Sequence, residues 1–409
     1  MKNFNLMYWL IIIILSLLTA LEPLSIDLYL PGFLLIADSL NSSSAAVQIS
    51  LSTFLGGFAL GQLLWGPLAD KYGRKKPILV SLAIFIAASV ACMYVKTIEQ
   101  LWVIRFIQAI GGCGGVVISR AVVTDYYDKS STLKIYSILA LIMGIAPIIA
   151  PIIGNGILRI FTWKALFGTL AILGALMFLL TLFVLPETHR PTEKPTNSVM
   201  TDYLRILRVK KFVVYAFIAG IANGALMIYV GNGPFLIMEK GGLSNNIFSI
   251  VFATNALGLM IGSYITTHLQ KYMKVSKLVK ITLIYMLAAS VVLFSLMYIN
   301  ANIYLILIAL FFYVFPIGIL FPTTTELAIT PFSNNSGTAS ALFGSIQLLL
   351  SCICSVMANA ISNNTITSVG LSFFLCSVVA FATVFVKIEP SLYRKQKKQK
   401  LCKSALDKF

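Results

Sequence analysis

The sequence predicts an all-α membrane protein of twelve transmembrane helices, arranged as two six-helix halves with both termini cytoplasmic. Three observations predict it: an apolar composition, twelve apolar runs of spanning length, and a one-sided distribution of basic residues. The chain has 409 residues, of which 58% are hydrophobic and 11% charged, with a mean hydropathy of +0.91. A soluble domain carries about 45–50% apolar and about 25% charged residues. A soluble enzyme, a disordered protein and a coiled coil are therefore excluded. The net charge of +17 would suggest a nucleic-acid partner in a soluble protein. In so apolar a chain it points instead to basic loops beside a lipid bilayer, with no nucleic acid involved.

The apolar runs fall at 7–30, 47–68, 77–95, 99–121, 133–155, 164–185, 212–235, 247–268, 277–299, 302–323, 337–360 and 366–387. A spanning helix needs about 20 such residues. The first run follows Lys2 but is too long for a signal-peptide core, and Glu22, Asp27 and Pro31 follow without a small-residue cleavage site, so it reads as an uncleaved span. With the N-terminus inside, 26 of the 31 Lys and Arg residues fall in cytoplasmic segments. Outside segments hold Lys96, Arg159, Lys164 and Lys240, and Arg105 lies within the fourth span. A reversed orientation or an odd number of spans destroys this segregation.

Residues 1–185 form the N-terminal half and 212–390 the C-terminal half. Between them lies the longest connection, 186–211, with Pro186, Pro191, Pro195 and several charges. Lys71-Tyr72 and Lys271-Tyr272 follow the second span of each half, a faint echo of duplication. Residues 391–409 form a basic cytoplasmic tail suited to anionic lipid head groups. The six cysteines lack metal spacing, and five lie in apolar runs, where they act as small core hydrophobes. No metal or cofactor is expected. Gly111-Gly112-Cys113-Gly114-Gly115 is not a phosphate loop, since it lies within a span with no Gly-Lys-Ser after it; small residues at a helix contact explain it.

Several strings are more specific. The loop after the second span reads Gly66-Pro67-Leu68-Ala69-Asp70-Lys71-Tyr72-Gly73-Arg74-Lys75-Lys76. The fourth span contains Arg105-Phe106-Ile107-Gln108-Ala109-Ile110-Gly111-Gly112, and the fifth Gly144-Ile145-Ala146-Pro147-Ile148-Ile149-Ala150-Pro151-Ile152-Ile153-Gly154-Asn155. The first span ends Pro23-Leu24-Ser25-Ile26-Asp27-Leu28-Tyr29-Leu30-Pro31. With Leu185-Pro186-Glu187-Thr188 and Ser336-Gly337-Thr338-Ala339-Ser340, the chain resembles the Bcr/CflA drug-resistance transporters of the major facilitator superfamily, from about residue 20 to 345. The resemblance implies the major facilitator fold and a drug:proton antiporter of the bacterial inner membrane. Three residues depart from the family pattern: Glu22 at a usually apolar position, Asn155 for a glycine, and Lys164 for an arginine.

A charge in hydrocarbon costs about 2.5–3.5 kcal/mol on insertion scales, so Glu22, Asp27 and Arg105 must face a cavity or a partner. At 1.5 Å per residue they lie about 12, 5 and 9 Å from the outer helix ends, in the same half of the membrane. Arg105 is therefore expected within reach of either acid, and a static Asp27–Arg105 ion pair is the competing structural reading. Thr19, Glu22, Ile26 and Tyr29 share a stripe taken as the cavity face. Asp27, which the family motif contains, is expected to carry the proton, with Glu22 as second proton site or as an attractant for cationic cargo. Tyr29, Gln108, Tyr215, Asn223, Tyr229, Asn232, Asn255 and Tyr313 are expected to line the substrate cavity, aromatic surfaces with a few polar groups being suited to amphipathic compounds.

The signature loop is expected to act as a conformational latch. Asp70 would accept bonds from backbone N–H groups near Ser336 and Gly337, Arg74 would pair with Asp125, and Gly66 and Gly73 would allow close approach. Both contacts belong to an outward-open state. Gly144, Pro147, Pro151 and Gly154 form the antiporter-like gate, a kinked and closely packed helix that the resemblance assigns to preventing proton leak. The expected whole is a monomer that exports amphipathic drugs against protons by alternating access. The competing readings are an exporter of an endogenous metabolite, such as a siderophore or an amino-acid derivative, and a proton-independent facilitator.

Overall fold

The computed structural model describes residues 2–188, 199–332, 336–361 and 365–385. The N-terminal half holds α1 (Lys2–Asp27), the short α2 (Phe33–Ser39), α3 (Ser44–Tyr72), α4 (Lys75–Cys92), α5 (Ile98–Tyr126), α6 (Lys129–Leu158) and α7 (Lys164–Phe183). After α8 (Val199–Leu207) come α9 (Lys210–Pro234), α10 (Asn245–Leu269), α11 (Val275–Tyr298), α12 (Ile303–Ile329), α13 (Ser336–Ile361) and α14 (Ile366–Ala382). There are no strands among the described residues.

Among the described residues, eleven helical segments are long and apolar enough to cross a membrane. The twelfth run forms α14, an apolar helix of 17 residues, and a 3-10 turn at Thr383–Phe385 ends it. The first run does not end near residue 30. A turn, a 3-10 segment (Leu30–Gly32) and α2 carry the span on to Ser39. Pro23 lies inside an unbroken α1. The connection 186–211 is not wholly irregular, since α8 lies within it and Ile206 is buried. Residues 189–198 of that connection, and the basic tail 391–409, lie outside the described residues.

One end of the bundle carries the basic loop Lys71–Lys76 and is called the basic end; the opposite is the far end. Among the described residues, five of the six long helices that start at the far end are capped by side chains, α7 being the exception. Ser43, Thr97, Ser244, Asn302 and Thr365 each accept a backbone N–H at the starts of α3, α5, α10, α12 and α14. At the basic end, α4 is capped from another element: Glu187 accepts from Arg74 N (2.7 Å) and Lys75 N (3.1 Å). Gly73 makes this possible. Its φ of +85° is a conformation open to glycine, and a side chain there would run into the Glu187 carboxylate.

The halves meet where α3 packs on α9 and α13, and where α6 packs on α10. Polar bonds stitch these seams. Ser52 Oγ donates to Ser355 Oγ at 2.8 Å, and Ser345 Oγ donates to the Ala59 carbonyl at 2.9 Å.

Candidate functional site

The central charges do not pair as their depths suggested. Arg105, fully buried, has no carboxylate within ion-pair distance among the described residues, and the Asp27–Arg105 pair is not formed. Its guanidinium carbon lies 4.3 Å from the ring centre of Phe54, 4.4 Å from that of Tyr29 and 5.8 Å from that of Phe167. It also donates to Gln108 Oε1 (2.6 Å) and to the Ser25 carbonyl (3.0 Å), and Nε has no partner. Gln108 Nε2 continues the chain to Ser89 Oγ at 2.7 Å. Aromatic faces attract a cation, by about 2 kcal/mol each when desolvated, which offsets part of the cost of burying this one. Tyr29 and Gln108 therefore sit inside the N-terminal half around Arg105. Tyr29 lies beyond the end of α1, so it leaves the stripe of Thr19, Glu22 and Ile26, and its hydroxyl is 3.3 Å from Ser50 Oγ.

Asp27 ends α1, just before the 3-10 segment Leu30–Gly32 that packs on α9 and α10 of the other half. It is 4% exposed and, among the described residues, has neither hydrogen bond nor ion pair. Tyr229 of α9 lies within electrostatic range of it. Tyr229 is stacked on Phe252 with ring centres 5.5 Å apart, and its hydroxyl accepts from Asn255 Nδ2 at 3.1 Å. Asn255 Oδ1 is buried without a partner. Asp27 and the Tyr229–Asn255 pair thus lie near each other in opposite halves. Glu22 is partly exposed, and the cation whose charge acts on it is Arg120 of α5 rather than Arg105.

The remaining candidate cavity residues divide. Asn232 lines a small cavity between α3 and α9 at the far end. Asn223 donates to Ser351 Oγ at 2.8 Å within the C-terminal half, and Tyr215 is buried. Tyr313 is held inside the α12–α14 packing, donating to the Phe373 carbonyl at 3.0 Å and accepting from Ser377.

At the basic end Arg74 binds Asp125 at 2.7 Å and Asp70 at 2.5 Å. Arg74 is buried while the Asp70 side chain is 68% exposed. Docking of Asp70 on the start of α13 is not among the described contacts. The Ser336 side chain lies outside the described residues. A Cβ at Gly66 or Gly337 would meet nothing within 4 Å, so these glycines face open space rather than a close approach.

The far end is closed instead. Ser44 Oγ donates to Glu239 Oε2 at 2.6 Å, and Asn359 Nδ2 donates to the Ala45 carbonyl at 3.0 Å. Asn155 Nδ2 and Arg159 Nη2 both donate to Asn246 Oδ1 at 2.7 Å. These contacts join opposite halves, and the sequence reading did not include them. Asn155, a departure from the family pattern, is one of the groups that hold α6 to α10. Gly154 packs so tightly on the turn that follows α1 that a Cβ would strike the Leu28 carbonyl oxygen. Gly144 lies against Met260 of the other half, and Pro151 accepts at its carbonyl from Ser249 at 3.4 Å. Pro147 and Pro151 lie inside α6. Among the described residues no group of three or more His, Cys, Asp or Glu could hold a metal ion.

The sequence model of the Major Facilitator Superfamily matches residues 15–355. The chain is 33% identical to the uncharacterised MFS-type transporter YdgK of Bacillus subtilis, over 91% of this chain and 94% of that one. It is 27% identical to the bicyclomycin resistance protein homolog of Haemophilus influenzae, over 90% and 94%. Identity to the multidrug resistance protein MdtL of Klebsiella pneumoniae is 30%, over 91% and 94%. Among solved structures, a D-xylose-proton symporter superposes with a TM-score of 0.76 over 91% of this chain and 97% of that one, at 15% identity, a likeness of fold alone. A bundle of spanning helices meeting at two polar seams, and a family match over most of its length, make the chain a transporter rather than an enzyme, and it belongs to the Major Facilitator Superfamily.

Proposed function

We propose that the chain is a monomeric, twelve-helix antiporter of the bacterial inner membrane that exports amphipathic small molecules against inflowing protons, with both termini and the basic end cytoplasmic. The observation that carries this reading is Asp27, a buried carboxyl with no ion-pair or hydrogen-bond partner among the described residues, at the end of α1 next to the segment that packs on the other half. A buried charge without a partner costs several kcal/mol. The site therefore favours having that charge covered, by a proton or by cargo, and one carboxyl cannot hold both. Competition of this kind couples the two flows.

Support for export comes from relatives named for bicyclomycin and multidrug resistance. Tyr229 and Asn255 supply an aromatic face and a free carbonyl oxygen opposite Asp27, which suits an amphipathic cargo. Arg105 acts as a fixed positive charge that orients the N-terminal helices and lies off the cargo path. Glu22 attracts cationic cargo nearer the cytoplasm, a pull that the nearby Arg120 moderates. The closed far end and the open space at Gly66 and Gly337 correspond to a conformation facing inward. The Arg74–Asp125 pair, expected for the outward-open state, is already formed here within the N-terminal half, where it positions Asp70; in the opposite conformation Asp70 docks on the start of α13 and latches the basic end. Gly144, Pro147, Pro151 and Gly154 keep α6 packed against α1 and α10 so that protons do not slip through.

Uptake of a compound panel into inside-out vesicles tests the reading. An imposed gradient, acidic inside, should drive accumulation, and collapsing it with an ionophore should stop accumulation. Equal uptake with and without the gradient contradicts proton coupling.

A further inference from the structure

The small cavity at the far end is lined by Phe33, Ser44, Gln48, Gly231, Asn232 and Phe235, from both halves. As it stands it is too small for cargo. Three observations mark it as more than a packing flaw. First, Gln48 is 3% exposed and its Nε2 has no partner. A buried donor left unpaired costs about 1–3 kcal/mol, so such groups in native structures call for an explanation. Second, Gly231 is what lets this amide lie against α9. A Cβ at that position would come within 2.8 Å of Gln48 Cγ and 3.0 Å of Nε2. Third, the rim of the cavity is the seal itself, the Ser44–Glu239 bond, which must part before anything leaves by this end. Asn232 spends its Nδ2 on the Ile228 carbonyl, which leaves Oδ1 as its free polar atom. Phe33 and Phe235 supply the apolar walls.

We propose that Gln48 and Asn232 form an exit subsite, reached as the far end opens, that recognises neutral cargo bearing an amide or a similar paired carbonyl and N–H or O–H group. Gln48 Nε2 donates to the cargo oxygen, Asn232 Oδ1 accepts from the cargo N–H or O–H, and the two phenylalanines hold the adjoining apolar part. This inference rests on the export reading and adds a cargo class to it.

The test uses the full-length protein in inside-out vesicles with two probes: chloramphenicol, which is neutral and carries an amide and hydroxyls, and tetraphenylphosphonium, which has no hydrogen-bonding group. Gln48→Leu should lower gradient-driven chloramphenicol uptake about tenfold, the loss of one hydrogen bond, and leave tetraphenylphosphonium uptake within about twofold of wild type. Gln48→Asn should restore part of the chloramphenicol rate at equal membrane abundance. An unchanged chloramphenicol rate in Gln48→Leu overturns the subsite, as does an equal loss for both probes, which would make Gln48 a packing residue. If wild type accumulates tetraphenylphosphonium alone, export stands and the subsite fails. If it accumulates neither probe, the export reading fails first. If it accumulates chloramphenicol alone, loss in Gln48→Leu with restoration in Gln48→Asn upholds the subsite, and any other pattern removes it.

Discussion

The guanidinium of Arg105 lies 4.4 Å from the ring centre of Tyr29, on the face of an aromatic group rather than beside a carboxylate. The cation is thereby separated from Asp27, and the two central charges have different surroundings. One is enclosed by rings and two hydrogen-bond acceptors; the other is bare at the seam.

Arg105→Lys keeps the charge but loses the planar fork that bonds Gln108 and Ser25 together, as well as the stacking on Tyr29 and Phe54. Export should fall at least about tenfold, with the protein still present in the membrane. Wild-type export by the lysine variant, measured in vesicles at matched abundance, would show that only charge matters at this position.

Gly73→Ala places a side chain at φ +85° and against Glu187. With ψ at 175° this backbone region is open essentially to glycine only, so the strain alone is about 1–3 kcal/mol, and the cap on α4 is disturbed as well. Thermal unfolding of the purified variant should begin several degrees below wild type. Glu187→Ala should lower it without backbone strain, so equal stability of both variants to wild type contradicts the capping account.

Arg74→Ala removes the bonds to both Asp125 and Asp70. If these hold the basic end through its conformational change, the variant should turn over several-fold more slowly with little change in the concentration for half-maximal export. A change in apparent affinity alone would argue against a latch.

Ser44→Ala combined with Asn246→Ala removes three of the bonds that close the far end. The conformational balance should shift toward opening there. A cysteine substituted for Asn232 should then react faster with an impermeant maleimide added from the periplasmic face than the same cysteine in an otherwise unaltered chain. An unchanged labelling rate means that these bonds do not govern the opening.

The helices were legible because each apolar run had to span the same thickness, and the capping Ser, Thr and Asn residues that start several of them stand in the sequence. The Arg74–Asp125 pair was legible for a similar reason, both residues lying at helix ends on one side. The surroundings of Arg105 were not. Depth along a helix is set by residue number, but rotation about the bundle decides whether a cation meets Asp27 or the rings of Tyr29, Phe54 and Phe167. Tyr29 in particular was assigned to a helical stripe, and the chain turns out of the helix at Asp27. Bonds between halves, such as Ser44–Glu239 whose partners are 195 positions apart, carry no local signal. Of that region the sequence reading held Asn232 and Asn155, and it did not include Gln48, Ser44 or Glu239.

The central claim is that Asp27 holds either a proton or cargo. It is tested most directly by adding cargo to purified, detergent-solubilised protein in weakly buffered solution and following pH. Wild type should release protons as cargo binds, and Asp27→Asn should bind cargo without releasing any. Undiminished proton release from Asp27→Asn, or none from wild type across the pH range in which it exports, contradicts the account.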